Sequence, residues 1–350
     1  MTITIRDVAK KAGVGVATVS RVINESKLVS DATREMVKRT IADLNYLPNH
    51  TARRLSLGRT NAIGVLIPYF TRPSAVERLR GISDVFEGTT YNLVVYSVES
   101  LPRRQKYFHE VPRADRVDGV IVVSMSPSTD DVRALTHSNL PVILLDAEHP
   151  SFISMLEDGA HGGALATQHL IGLGHRRIAF IGGPFVDPFN FARTPSTKRL
   201  EGYKQALTDA GLPVTEALLG IDPNEMIGAH SITAARELTV RMMQQAERPT
   251  GIVTASDTHA FGVMQAAREL GLRIPDDLSV VGYDNVEAAS YVELTTVSQS
   301  LYDSGKCSAE RMLRLLQGGD RTPTFERLPL DLLQRKTTAM PAKPHQEVMT

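Results

Sequence analysis

The chain has one cysteine, no tryptophan and no long apolar run, and each shortage removes a class of protein. Cys307 alone in 350 residues cannot form an internal disulfide, which argues against a stapled secreted scaffold and suits a reducing cytosol. No stretch approaches the roughly 18–20 consecutive apolar residues of a membrane helix. The opening MTITIRDVAKKAG lacks an apolar signal core, so a cytoplasmic protein without membrane contact is expected. Catalytic signatures are missing too: there is no phosphate loop, no GxSxG elbow and no HExxH pair. His169 and His175 flank a helix end in HLIGLGH, where two lone histidines suit a structural role better than metal ligation. No cofactor or metal is expected, and an enzyme is the disfavoured class.

The missing net charge is the more revealing shortage. Lysine plus arginine equals aspartate plus glutamate at 39 each, yet eleven of those cations and only five of the acids fall in residues 1–60. That end is +6 and the remainder −6, so a neutral total joins a basic end to an acidic body. Cations against the phosphates of duplex DNA release condensed counterions, so a basic segment is a nucleic-acid signal when it also folds. This one carries helical periodicity. Thr4 can cap a helix containing Ile5, Val8, Ala9 and Ala12, with Asp7 near its positive end and Gly13 at its stop. A second helix fits Val16–Asn24, with Val19, Val22 and Ile23 inward and Val16, Ala17, Thr18, Ser20 and Arg21 outward or toward the ends. Ser30 caps a third through Tyr46, with Val37, Ile41 and Leu44 inward and Pro48 beyond its end. Two short helices joined by a glycine-containing turn are a helix-turn-helix, whose second helix fits the major groove.

Beyond residue 60, apolar runs alternate with helix-length stretches: AIGVLIP, YNLVVYSVE, DGVIVVS, PVILLD, then RIAFIGG, GIVTASD and SVVGYD. Continuous Val/Ile/Leu runs separated by helices predict buried parallel strands, and two sets of them predict two doubly wound lobes that bind ligand at the carboxyl ends of their strands. The runs end in Asp146, Asp257 and Asp284, and ISMLED ends in Asp158, which together predict a polar cleft.

The stretches IRDVAKKAGVGVATVSRVIN, VSDATREMVKRTIADLNYLPN and TARRLSLGRTNAIGVLIP resemble the bacterial LacI/GalR family of transcriptional regulators, over nearly the whole chain. The resemblance implies an all-α helix-turn-helix headpiece (1–48), a hinge helix or linker (49–60), a two-lobed α/β periplasmic-binding-protein-like effector domain (61–340) and a tail (341–350). It implies that Val16, Ala17 and Arg21 read base edges and that Thr18 and Ser20 touch phosphates. Arg21 suits bidentate bonding to guanine, whereas Val16 and Ala17 offer only apolar contact. Thr4, Asn24, Asn49, Ala52 and Arg53 complete the implied DNA set, together with Leu55, the hinge leucine that wedges between base steps and kinks DNA. Gly15 is a departure, since relatives commonly carry serine or threonine there. In the body, KRLEGY, SDTHAFG and VVGYDN resemble the family's effector core. Arg199, Asp146, Ser256, Asp257 and Asp284 match cleft positions, with Tyr69, Phe70 and Tyr283 available for stacking. Carboxylates and a forked guanidinium suit a polyhydroxylated ligand, so a sugar or sugar derivative is the expected effector. GPFVDPFNFARTPSTKR (183–199) is longer than the family's usual spacing. The tail carries prolines and no heptad, so a homodimer on a pseudo-palindromic operator is expected rather than a coiled-coil tetramer. An exported solute-binding protein would share the body but not the helix-turn-helix.

Overall fold

The computed structural model describes residues 3–23, 26, 28–46, 59–183, 195–221 and 232–342, which fall into two compact units dividing at Thr60 and Asn61. The first unit contains α1 (Ile5–Lys11), α2 (Val16–Ile23) and α3 (Asp31–Asp43). Asp7 accepts from the backbone N–H of Thr4 at 2.8 Å and from its hydroxyl at 2.7 Å, fixing the first turn of α1. The helix closes where Gly13 turns left-handed (φ +65°), with Val14 N–H bonded to Ala9 C=O at 3.1 Å. Ser30 caps α3 by accepting from Thr33 N–H at 3.4 Å. That helix ends at Asp43, three residues short of the sequence expectation. Asn45 adopts φ 46°, and Tyr46 N–H returns to Ile41 C=O at 3.0 Å, so an asparagine does at this end what Gly13 does for α1. The turn sends Tyr46 back into a core of Val8, Ala9, Ala12, Val19, Val22 and Val37.

The second unit holds two six-stranded sheets. In the first, β1 (Ala62–Pro68) lies between β2 (Asn92–Val98) and β3 (Gly119–Val123), and the order continues through β4 (Val142–Leu145) and β5 (Ile153–Glu157) to β11 (Phe325–Leu328), all parallel. In the second, β6 (Ile178–Gly182) lies between β7 (Leu219–Ile221) and β8 (Gly251–Thr254). Its order then runs through β9 (Ser279–Asp284) and β10 (Thr295–Ser298) to β12 (Asp331–Leu333), which is antiparallel. The expected strands are present. The short β7, β10, β11 and β12 are additional, and β12 breaks the all-parallel expectation at one edge. Strand order reverses at β1 and at β6, so each sheet has a switch point where loops part at the carboxyl ends.

The chain crosses between lobes three times. It leaves the first after β5 into α7 (Gly159–Gly172), returns after β10 into α12 (Leu301–Leu316), and leaves again between β11 and β12. The first two crossings each pack a helix against a partner through glycine. Against α4 (Pro73–Phe86), a Cβ at Gly81 would overlap the Tyr302 carbonyl, and one at Gly305 the Arg78 carbonyl. Between α7 and α8 (Pro195–Asp209), Gly163 faces the Arg199 backbone and Gly202 the Ala160 carbonyl in the same way. Helices at such close range pin the backbone of Arg78 in one lobe and of Arg199 in the other. Behind them, Ala309, Met312 and Leu315 of α12 join Ile82, Phe86 and the strand residues Ile121 and Ile143 in the first lobe's core.

Candidate functional site

Two surfaces carry chemistry, one in each unit. On the headpiece, the amphipathic spacing of α2 buries Val19 and Val22 and leaves Val16, Ala17 and Arg21 exposed, with Thr18 and Ser20 half-buried beside them. Val16 is 42% exposed, which a valine on an otherwise ordinary helix has no packing reason to be. Gly15 starts the helix by accepting from Thr18 N–H (2.9 Å) and Val19 N–H (3.2 Å), and a Cβ there would meet nothing within 4 Å. Packing therefore does not demand glycine, and this departure from the family pattern is a surface difference. Thr4 belongs to the cap of α1. Asn24, Asn49, Ala52, Arg53 and Leu55 lie outside the described residues, as do 184–194 of the long segment.

In the body, backbone strain gathers at strand ends. Tyr69 (φ 45°), Ser124 (51°) and Asp146 (56°) follow β1, β3 and β4, Asp284 (118°) ends β9, and Ser300 (47°) lies just beyond β10. Left-handed backbone in residues other than glycine costs energy and persists where a site requires it. These turns hold a charged cluster drawn from both lobes. Asp146 accepts from the Ser124 hydroxyl at 2.6 Å and lies 3.3 Å from the Arg78 guanidinium. Arg78 also donates to the Gln299 side chain at 2.8 Å, and Gln299 in turn donates to Asp284. Arg199 lies 3.1 Å from Glu157 and 3.8 Å from Asp284, with its guanidinium 3.7 Å from the Tyr283 ring centroid. The Tyr283 hydroxyl points at the same Glu157 oxygen, at 3.5 Å.

Arg78, Glu157, Arg199, Asp284 and Gln299 are each at most 7% exposed. Burial pushes Asp284 up to about 6 and raises Glu157, which the neighbouring Asp146 charge raises further. Even so, Arg78 Nε, Arg199 Nε and Glu157 Oε2 have no hydrogen-bond partner among the described residues. A buried cluster with two donors and one acceptor to spare can take up a ligand bearing hydroxyls.

The structure thus joins Asp146, Arg199 and Asp284 in one network. Ser256 and Asp257 serve local ends. Ser256 caps α10 (Asp257–Glu269) by accepting from His259 N–H at 3.3 Å. Asp257 accepts from Val286 N–H at 2.9 Å and the Thr296 hydroxyl at 2.6 Å, tying α10 to β10, and burial pushes it up to about 8. Tyr69 donates to the Glu99 carbonyl at 3.3 Å and stacks under Arg72, 4.6 Å from ring centroid to guanidinium. Phe70 is 44% exposed, and Tyr283 is buried. Sequence reasoning missed Arg78, Glu157 and Gln299. For Arg78 a signal existed, because spacing puts it on the apolar stripe of α4 with Ala75, Ile82 and Phe86, where a lone charge needs a partner. His169 bonds Thr338 at 2.9 Å, while His175 bridges Thr250 and the Ala339 carbonyl, so both fasten the segment after β12. Among the described residues no three His, Cys, Asp or Glu side chains gather as a metal site, and no helix is long and apolar enough to cross a membrane.

Comparison with known proteins matches both units of the chain. Residues 4–49 match the model for bacterial regulatory proteins of the lacI family, and residues 167–338 match a periplasmic binding protein-like domain. The chain is 32% identical to catabolite control protein A of Priestia megaterium over 345 residues, covering 97% of this chain and 100% of that protein. It is 34% identical to the ribose operon repressor of Haemophilus influenzae, covering 90% and 92% of the two chains. Among solved structures it resembles the lac repressor dimer bound to operator and the anti-inducer ONPF, with a TM-score of 0.81 and 30% identity over 97% of this chain and 100% of that one. It also resembles the complex of the transcriptional regulator CelR with cellobiose, with a TM-score of 0.68 and 28% identity over 96% and 99%.

Proposed function

The chain belongs to the LacI family of bacterial regulatory proteins, and from that premise we propose that it is a homodimeric repressor whose grip on a pseudo-palindromic operator is set by a carbohydrate held in the body's cleft. Catalysis has no part in this role. On the DNA side, we assign Val16, Ala17 and Arg21 to base edges and Thr4, Thr18, Ser20 and Asn24 to the phosphate backbone. Asn49, Ala52, Arg53 and Leu55 are assigned to a hinge that enters the minor groove, with Leu55 as the wedge. On the ligand side, Asp146, Arg199 and Asp284 take the effector's hydroxyls. Tyr69 lines the rim, and Ser256 and Asp257 hold the helix start behind Asp284.

The observation that carries this reading is the buried cluster at the strand ends. It draws Arg78, Asp146 and Glu157 from one lobe and Arg199 and Asp284 from the other, so a ligand that rearranges it must change how the lobes meet. Lobe closure and operator affinity are then two states of one equilibrium, shifted by whatever binds one state better. The relatives' ribose and cellobiose associations suggest the first compounds to try. Operator affinity of the purified dimer, measured with and without each sugar that raises its melting temperature, is the test. A sugar that stabilises the body but leaves operator affinity unchanged would remove the regulatory link.

A further inference from the structure

Two buried guanidiniums in one cluster ordinarily mark an anion site, because their N–H forks match phosphate and carboxylate oxygens. Here the forks face the chain's own acids. Arg78 meets Asp146, and Arg199 meets Glu157 and Asp284, so three acids surround two guanidiniums. Glu157 is the surplus member. Asp146 is also held by Ser124 and Asp284 by Gln299, whereas Glu157 receives only Arg199 and Tyr283 on one oxygen and leaves Oε2 without a partner among the described residues. The charged groups acting on it come from every element packed around it: Asp146 after β4, Arg78 on α4 and Arg199 on α8, with Tyr283 on β9 beside them. The charges next along the chain are engaged elsewhere, with Asp158, beside Glu157, bonded to Arg327 and Lys198, beside Arg199, bonded to Glu148.

We infer that Glu157 is a specificity-determining residue that occupies the anion fork of Arg199 and closes the cleft to sugar phosphates and sugar acids, so that the effector is an uncharged polyol. The inference rests on the proposed function only in taking this cleft as the ligand site. An anion entering a low-dielectric site that already has one acid too many meets repulsion it cannot screen. An uncharged polyol avoids that cost. Its hydroxyl oxygens can accept from the free Nε groups of Arg78 and Arg199, and a hydroxyl can donate to Glu157 Oε2. Because burial and the Asp146 charge both favour a proton on Glu157, the barrier to anions weakens in acid.

Sulfate is a suitable probe, since it keeps its charge over the working range and does not require the natural effector to be known. Its affinity is read from the concentration dependence of the full-length chain's melting temperature, against chloride at matched ionic strength. At about pH 8, Glu157→Gln should bind sulfate about tenfold more tightly than the parent. Adding Arg199→Gln to that variant should abolish the gain, which separates the cleft from anion binding by the headpiece. The gain from Glu157→Gln should narrow as the pH is lowered, because burial and the Asp146 charge both favour a proton on Glu157. Equal sulfate affinity in parent and Glu157→Gln at about pH 8 overturns the proposal, whatever value the two share. Should Glu157→Gln not fold, Glu157→Ala takes its place, and a sulfate affinity equal to the parent's overturns the proposal as well. Operator binding on the same samples tests the regulatory role independently, so failure of one leaves the other standing.

Discussion

The headpiece and the body place their functional side chains on opposite sides of the water boundary. On α2 the groups assigned to DNA stand outside a core of seven buried residues, and Val16 and Arg21 are exposed. In the body, Arg199 and Asp284 are buried and Asp146 is half-buried beside them, and these groups hold one another in place as much as they await a guest. The difference follows from the partner. A duplex is larger than the headpiece and brings its own surface, so the reading side chains can wait in water. A small molecule must be surrounded, so its binding groups leave water with it and need partners when it is absent. In the headpiece function separates from stability; in the cleft the two are carried by the same atoms.

Three substitutions or titrations would break or sharpen that contrast. The largest effect is expected at Arg199, which donates to Glu157 and the Ala255 carbonyl and sits beside Asp284. Arg199→Ala strands two buried carboxylates and should cost roughly 3–5 kcal/mol of stability, read by chemical denaturation, together with any effector response. A variant as stable as the parent would show that water already reaches the cluster, and the contrast with the headpiece would collapse. Arg21→Ala is next. It should weaken specific operator binding by roughly 1–3 kcal/mol and relax preference at one base pair per half-site, with no change in melting temperature. Equal losses on specific and random DNA would make Arg21 a phosphate contact instead.

The smallest effect is a difference in pH slope. Burial holds Asp257 at about 8 and Asp284 at about 6, above the unfolded value near 3.8, so between those values the folded body carries more protons than the unfolded chain. These two acids should therefore contribute stability that falls as pH rises from about 4 to about 8, against the opposite contribution of His169 and His175, whose protonation burial disfavours. Asp257→Asn should remove the upper part of the acids' slope. In the headpiece, Asp7 is shifted the other way by its bonds to Thr4, so its contribution is lost on acidification rather than gained. Melting curves across this range, followed separately in the two units by hydrogen exchange, check both signs. A slope that Asp257→Asn leaves unchanged contradicts the burial of that acid.

Much of this protein was readable from residue order alone, because helix periodicity, caps and strand-like runs are local. Thr4, Gly13 and Ser30 marked headpiece boundaries that the structure keeps, and the Val/Ile/Leu runs gave the central strands of both sheets. Leu44 misled, since its apolar side chain continued the helical stripe while Asn45, able to turn left-handed, ended the helix. The edge strands were hidden for another reason. FERL and DLL are short and carry charges, and they become strands only because β5 and β10 offer them a bonding edge. The cleft shows the same divide. Asp146, Arg199 and Asp284 could be named from local motifs, but their pairing with Arg78, Glu157 and Gln299 could not, and the Arg78–Gln299 bond inside the same cluster spans 221 residues of sequence. Sequence by itself determined which segments are helix or central strand, and that a basic reading head precedes an acidic two-lobed body. Only the tertiary structure decided which charges meet, because that depends on three chain crossings and on glycines that let α4 meet α12 and α7 meet α8 closely enough to set Arg78 and Arg199 in one cluster.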